Sequence, residues 1–245
     1  LEKRLKCGKN IISEYDKKIP SDLTTEQILI RSGNIGSVRI GQKLEIDKLK
    51  LFLEKIGVLS KIDFDIEEVG EPIPFKWGKC KLATVSFGHG ITTTPLQLAK
   101  GYAIIANGGF AIKPSLIKKT LENNKIKKRI IKEGVSKEIN QILRKIVTTK
   151  EGTAGLANIE GYEVGGKTGT AEKAIIGGYT RKAKVNTFAS IFPTSKPKYV
   201  MIVLLDEPKT SEDYIYKYKN KTGSYRGTPF NTAGWTSVEV AGKII

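Results

Sequence analysis

Through roughly the first 150 residues, apolar positions recur at helical spacing, whereas over about the last hundred they gather in short strand-like runs. Thr24, with Gln27 three residues on, makes a capping-box pattern, so a short helix is predicted over 24–31 and stopped by Ser32-Gly-Asn34. A second helical piece follows. A third, over 45–56, sets Ile46, Leu49, Phe52, Leu53 and Ile56 on one face before Gly57 ends it. Residues 58–80 read as a loop, acidic at Asp63, Asp65, Glu67 and Glu68 and then broken by Pro72 and Pro74. That cluster lacks the glycine and the spacing of a calcium loop and is read as a solvated face. Thr94-Pro95 supplies a cap and a first-position proline for a helix running to Asn107-Gly-Gly109. Another helix is predicted over 137–148, with Ile139, Ile142, Leu143, Ile146 and Val147 on its apolar face.

Runs at 162–171, 185–192 and 199–206 read as strands, the last two joined by the hairpin-length turn Pro193-Thr-Ser-Lys-Pro197. A long polar loop follows, and an apolar helix over 233–245 ends the chain. Helices first and an antiparallel sheet later predict an α/β fold of the segregated α+β kind. It is read as one domain over 1–245, with a helical part at about 20–150 and a sheet part at about 151–245. Tyr102, Phe188, Phe192 and Trp235 fall at core spacings and are assigned to packing.

Composition removes several chemistries. One histidine, His89, cannot build a multi-histidine zinc site, and it is read as a hydrogen-bonding rather than a catalytic residue. Cys7 and Cys80 form no CxxC and allow at most one disulfide. Lysine is then the base left to activate a nucleophile. The net charge of +17 suits an anionic partner, but the lysines run through the whole chain. Only 214–221 interleaves basic and aromatic residues, as a solvated loop, so nucleic acid is not an expected partner. No apolar run approaches the ~20 residues that span a bilayer. The basic start at Leu1-Glu-Lys-Arg-Leu5 is followed by no apolar stretch, so it is no signal peptide. Met201 is the only methionine, and the chain is read as a piece of something longer.

The strongest local signal is Gly165-Gly-Lys-Thr-Gly-Thr170, which has two readings. Gly161-Tyr-Glu-Val-Gly-Gly-Lys-Thr168 fits the phosphate-cradling GxxxxGK[ST], and the apolar run ending at Asp206 fits a magnesium-binding strand. Such a loop must follow a buried strand and open a helix. Ala157-Asn-Ile-Glu160 is a poor strand, Gly177-Gly178 would end any helix within two turns, and only 78 residues remain after Lys167. In the other reading Lys167-Thr168-Gly169 lies on a strand edging a cleft. An ammonium and hydroxyls would face an anionic group there, and the glycine would let a substrate backbone add along the strand. The triplet alone is weak, since Lys221-Thr-Gly223 matches as well and lies in the polar loop.

Longer segments carry a specific resemblance. Ile28-Leu-Ile-Arg-Ser32-Gly-Asn34-Ile-Gly36 resembles the SxN motif of the class B penicillin-binding proteins. Phe87-Gly-His-Gly-Ile-Thr-Thr-Thr-Pro95-Leu-Gln-Leu-Ala99 resembles their GIxxTPLQxA helix, continued by Tyr102-Ala and Ala106-Asn-Gly-Gly109. Glu151-Gly-Thr-Ala154 and Val164-Gly-Gly-Lys-Thr-Gly-Thr-Ala171 resemble their GTA and KTGTA segments, and Phe188 to Pro193 with Pro197-Lys-Tyr-Val200 the strands that follow. The ending from Thr232 to Lys243 is similar to division-type members from alphaproteobacteria. The whole chain is thus identified as resembling the C-terminal part of such a transpeptidase domain.

The resemblance implies a penicillin-binding transpeptidase, serine β-lactamase-like fold, with an antiparallel sheet flanked by helices. It also implies an active-site serine D,D-transpeptidase without a cofactor, cross-linking stem peptides that end in D-Ala-D-Ala during septal wall synthesis. The catalytic serine forms an acyl-enzyme that an amine from a second strand resolves, and β-lactam antibiotics acylate the same serine. By the same resemblance, Ser32 relays a proton between the nucleophile's lysine and the leaving nitrogen, and Asn34 hydrogen-bonds the substrate amide. Lys167 supports that relay, Thr168 and Thr170 bind the terminal carboxylate, Gly169 admits the substrate backbone, and the Thr170 N–H gives half of an oxyanion hole. The implied setting is the inner membrane with this domain in the periplasm, beside divisome membrane proteins.

One departure stands out. The family's SxxK nucleophile precedes SxN by more than the 31 residues available before Ser32, and none of those residues forms it. Ser115-Leu-Ile-Lys118 and Ser195-Lys-Pro-Lys198 match by chance, in a surface segment and in the hairpin turn. The chain is therefore expected to be inactive alone, with an incomplete sheet and an exposed edge. The alternatives are a penicillin-binding-like sensor or scaffold without turnover and, remotely, the nucleotide hydrolase. A class D β-lactamase shares the serine, lysine and KTG, but the Thr94-Pro95-Leu-Gln-Leu-Ala99 helix fits penicillin-binding proteins better.

Overall fold

A computed structural model describes residues 4–8, 10–118, 128–176, 178–209, 213, 215–217, 224–226 and 231–245. They fall into two units, Leu1–Ile142 and Leu143–Ile245. The second lysine–threonine–glycine triplet, 221–223, lies outside the described residues, as does the 214–221 stretch apart from 215–217.

The first unit opens with an antiparallel hairpin of β1 (Arg4–Cys7) and β2 (Asn10–Ser13) that the sequence pattern did not predict. Helix α1 (Thr25–Arg31) starts at the expected capping box, with Thr24 Oγ1 accepting from Gln27 N at 3.2 Å and Gln27 Oε1 accepting from Thr24 N at 2.9 Å. Helix α2 (Asn34–Ile56) is broken at Glu45, where φ is 66°, so the two predicted helical pieces are its halves; Gly57 caps it with φ of 81°. Helix α3 (Lys79–Val85) falls at the end of what the sequence suggested was loop.

Ile12, Ile35, Val38 and Ala83 form a core that joins hairpin, α2 and α3, with Leu5, Cys7 and Phe87 packed against it. Cys7 is disulfide-bonded to Cys80, which is 73 positions away and ties β1 to the start of α3. Closing a loop of that length in the unfolded chain is worth roughly 4 kcal/mol in the chain-entropy account. The acidic loop is held by its own carboxylates. Asp63 pairs with Lys113, and Asp65 accepts from Ser115 Oγ at 2.6 Å and Leu116 N at 2.5 Å. Among the described residues no group of three or more His, Cys, Asp or Glu could hold a metal ion.

Helix α4 (Pro95–Ala106) carries a second capping box between Thr94 and Gln97. Gln97 is fully buried. Its Oε1 accepts from Thr94 N at 2.8 Å, and its Nε2 donates to Ser60 O at 2.6 Å, pinning the segment after α2 to the start of α4. Helix α5 (Glu133–Thr148) begins in the first unit and ends in the second.

The second unit is built on β3 (Gly165–Ile175), β4 (Gly178–Phe192) and β5 (Tyr199–Asp206), antiparallel in the order β3-β4-β5. β3 and β4 run further toward their turn than predicted, past a register shift between Glu172 and Lys173. Lys173 there binds Glu207 at 2.9 Å and Asp206 at 3.1 Å. Strands β6 (Ile215–Lys217) and β7 (Ser224–Arg226) pair in what was read as loop, and α6 (Ser237–Ile244) ends the chain after a short 3-10 turn at Ala233–Trp235. Phe188, Val164 and Ile191 are fully buried under the sheet's start.

Replacing Gln97 by an isosteric apolar side chain would leave the Thr94 N–H and the Ser60 carbonyl without their partner. Gln97→Leu is expected to cost about 1–3 kcal/mol, two part-buried hydrogen bonds at the usual net worth of each. Urea unfolding of wild type and variant measures it; an unchanged midpoint would show that these two bonds hold nothing.

Candidate functional site

The run predicted as a strand over 162–171 falls in β3, which begins at Gly165. Lys167, Thr168, Gly169 and Thr170 all lie in β3, paired with Ala189, Phe188, Thr187 and Asn186 of β4. Because this segment is strand throughout and opens no helix, it does not form a phosphate-cradling loop. Among the described residues β3 is an edge strand of its sheet.

Its start is pressed tightly into the unit. A Cβ on Gly165 would lie 2.5 Å from the Thr194 methyl and 2.9 Å from Arg144 N, and one on Gly166 would lie 2.6 Å from the Phe188 ring and from Ala189 O. Only glycine fits at both positions. Arg144 on α5 fixes the strand's approach by donating to Val164 O at 2.8 Å.

Alternation along β3 sends Thr168 and Thr170 to one face and Lys167 to the other. Thr168 Oγ1 lies 2.7 Å from Thr153 Oγ1. Two hydroxyls joined by one hydrogen bond use one of their two protons, so the pair retains a proton to donate elsewhere. Thr170 Oγ1 accepts from Ala233 N at 2.9 Å, which leaves its own proton to donate as well. Thr153 and the Ala233 turn are the contributors that sequence reasoning did not assign. The quoted Gly152-Thr-Ala154 segment was the signal for the first, and nothing local marked the second.

Lys167 is half-buried and donates from Nζ to Thr168 O at 3.0 Å. Burial disfavours its charged form and lowers its pKa from the ordinary 10.5 to about 8. The ammonium sits poised close to neutral pH, and an anion bound nearby would restore its basicity.

In the first unit, Ser32 and Asn34 flank the break between α1 and α2. Ser32 caps α1 in the left-handed region with φ of 57°, a conformation that costs a non-glycine residue roughly 1 kcal/mol. Gly33 then caps α2 and has no side chain to do it with. Glu14 takes that role from 20 positions upstream, accepting from Asn34 N at 2.7 Å and Ile35 N at 3.0 Å. Asn34 Nδ2 donates to Ser13 O at 2.9 Å.

The two stray SxxK matches are otherwise engaged. Ser115 Oγ donates to Asp65, and Ser195 donates from N and Oγ to Glu163, which holds that carboxyl below its usual range. His89 stacks on Phe87 with ring centroids 6.0 Å apart.

Residues 2–229 match the family model described as the penicillin binding protein transpeptidase domain. The chain is 30% identical over 249 residues to the probable peptidoglycan D,D-transpeptidase FtsI of Caulobacter vibrioides, covering 98% of this chain and 40% of that protein. It is 33% identical over 196 residues to stage V sporulation protein D of Bacillus subtilis, covering 75% of this chain and 30% of that one. The chain therefore spans well under half the length of either relative. Among solved structures, the apo transpeptidase domain of penicillin-binding protein 3 from Burkholderia pseudomallei superposes with a TM-score of 0.81 at 22% identity, covering 98% of this chain and 68% of that one. Penicillin-binding protein 3 of Mycobacterium tuberculosis in complex with aztreonam gives 0.76 at 24% identity, covering 84% and 50%. These likenesses show the fold: a mixed α/β transpeptidase fold of the β-lactamase-like kind, with an antiparallel sheet and helices.

The lowered Lys167 pKa has a measurable consequence. Below about 8 both folded and unfolded chains hold the proton; between about 8 and 10.5 the unfolded chain holds a proton that the folded one has released. Stability should therefore rise with pH across that window. Comparing unfolding free energies of wild type and Lys167→Met from pH 7 to 10.5 isolates the term, and identical pH slopes for the two would refute the lowered pKa.

Proposed function

The chain belongs to the penicillin-binding protein transpeptidase family, and from that premise we propose that it supplies the SxN turn and the substrate-binding strand of a septal peptidoglycan D,D-transpeptidase. The observation that carries this reading is the edge of β3, where a half-buried lysine, the Thr153–Thr168 hydroxyl pair with one proton left to donate and the Thr170 hydroxyl suit the terminal carboxylate of a stem peptide. Thr168 and Thr170 bind that carboxylate, Lys167 supplies the positive field, and Gly169 admits the substrate backbone as an added strand. Asn34 hydrogen-bonds the substrate amide, and Ser32 passes the proton to the leaving nitrogen.

The reaction is an acyl transfer. A serine oxygen bonds to the carbonyl carbon of the penultimate D-alanine, the terminal D-alanine leaves as an amine, and a second stem peptide's amine then displaces the serine. With a β-lactam the ring amide opens instead and the acyl-enzyme persists. The serine and its lysine lie outside these 245 residues, since the only SxxK matches within them are tied to Asp65 and Glu163. By the same reading the protein is anchored in the inner membrane, with this domain in the periplasm beside divisome membrane proteins. Among the described residues no helix is long and apolar enough to cross a membrane.

Fluorescent penicillin and intact mass on the full-length protein test this directly. One label per molecule is expected, mapping to a serine outside this chain, with none on the 245-residue chain alone. Lys167→Ala should slow labelling about a hundredfold, in line with removing a preorganised donor. The rate should also fall as pH rises through about 8, where Lys167 loses its proton, and Lys167→Arg should shift that fall upward. A label on Ser115 or Ser195 would sink the assignment; a full-length protein that takes no label would favour a sensor or scaffold without turnover.

A further inference from the structure

Two helix ends meet at the SxN turn, and each leaves backbone groups that need partners. At the end of α1, Leu29 O accepts from Ser32 N at 3.3 Å and Ile28 O accepts from Gly33 N at 2.9 Å. The Arg31 carbonyl is met by Tyr15 OH at 3.0 Å. At the start of α2, the N–H groups of Asn34 and Ile35 both donate to the Glu14 carboxylate, at 2.7 and 3.0 Å. The Asn34 side chain is met by Ser13 O at 2.9 Å. Three consecutive residues at the exit of β2 thus grip both sides of the turn and the Asn34 side chain.

That grip is itself anchored. Ser13 pairs with Arg4 across the hairpin, Ile12 is buried in the core with Ile35 and Val38, and Cys7 on β1 is bonded to Cys80. Ser32 stays in a left-handed conformation that serine seldom adopts, which requires surroundings that over-determine it. A carboxylate on the first N–H groups of a helix also complements the helix dipole, so Glu14 acts where a negative charge is most effective.

We infer that Glu14 is a positioning residue for Asn34: its carboxylate sets the first turn of α2, and with Ser13 O it orients the Asn34 amide. With one Asn34 amide proton committed to Ser13 O, the amide cannot flip without losing that bond, so its second proton and Oδ1 keep fixed directions. Glu14 touches no substrate; it acts through Asn34. The inference rests on reading Asn34 as the residue that meets the substrate amide.

The test compares two β-lactams on the full-length protein. Benzylpenicillin carries an acylamido side chain, and 6-aminopenicillanic acid has a bare amine in its place. Glu14→Ala is expected to slow acylation by benzylpenicillin about tenfold more than acylation by the bare nucleus, the size of one lost charge-assisted hydrogen bond transmitted to the substrate. Asn34→Ala should show the same selectivity, and the double variant should be no slower than Asn34→Ala. Equal slowing of both β-lactams by Glu14→Ala, or additive losses in the double variant, would overturn the inference by making Glu14 a general stability residue. Asn34→Ala without selectivity would overturn the reading of Asn34, and the inference with it. Should Glu14→Ala fail to fold, Glu14→Gln keeps the shape and one acceptor oxygen. It should shift the ratio about threefold, and a wild-type ratio in that folded variant overturns the inference.

Discussion

The closeness of backbone to backbone at Gly165 and Gly166 is the constraint on which the second unit depends. There β3 runs against the α5 main chain at Leu143 and Arg144 and over the face of Phe188, at separations that leave no room for a methyl group. Packing this dense transmits displacement rather than absorbing it. A larger residue at Gly165 would push β3 away from α5 and strain the Arg144 bond to Val164 O, and one at Gly166 would push it away from Phe188 and Ala189 of β4; either would move Lys167 and Thr168 with the strand. The position of the ammonium is in that sense set by two residues that carry no chemistry of their own.

Burial and function pull in opposite directions at Lys167. Removing the ammonium from water makes its charge harder to keep, which is why its pKa falls to about 8. The same removal strengthens its field on anything anionic that enters, because less solvent screens it. Neighbouring groups divide the work: the Thr153–Thr168 hydroxyl pair keeps one proton beyond its own hydrogen bond, and the Ala233 N–H occupies an acceptor position on Thr170 and leaves that hydroxyl's proton over. The surplus of lysine elsewhere adds little at this site, since exposed charges are screened within about 10 Å at ordinary salt.

Local signals in the sequence were legible where local chemistry decides the structure. Thr24 with Gln27 and Thr94 with Pro95 marked two helix starts, Gly57 one helix end, and the apolar run from Tyr199 to Asp206 a strand at its true limits. The lysine–threonine–glycine triplet was found, and the longer Val164 to Ala171 segment told it from its copy at 221–223. Illegible features were elements too short to show a pattern and contacts whose partners lie far along the chain. The four-residue strands β1 and β2 are too short to show a period, and α3 offers neither a side-chain cap at Gly78 nor more than two turns. The outer parts of β3 and β4 carry charges at Glu172, Lys173 and Lys184 that blur the alternation, and Lys173 becomes intelligible only beside Asp206 and Glu207.

Glu14 shows why such long-range partners matter at the Ser32–Asn34 turn. A short motif on a break between helices has an inherent difficulty: it must expose polar side chains while its own backbone groups want hydrogen bonds. Glycine at the α2 cap eases the approach of other groups but surrenders the side chain that would normally satisfy the first N–H groups. Serine in the left-handed region adds strain. If Ser32 and Asn34 turned inward to satisfy the turn themselves, they would be lost to a substrate. Satisfying it from the residues that follow β2, with the Ser13 carbonyl, the Glu14 carboxylate and the Tyr15 phenol, leaves the Asn34 side chain held without calling on Ser32 to cap α2. A preorganised site needs this division of labour, because a donor that must reorient before it binds spends part of its interaction on ordering itself.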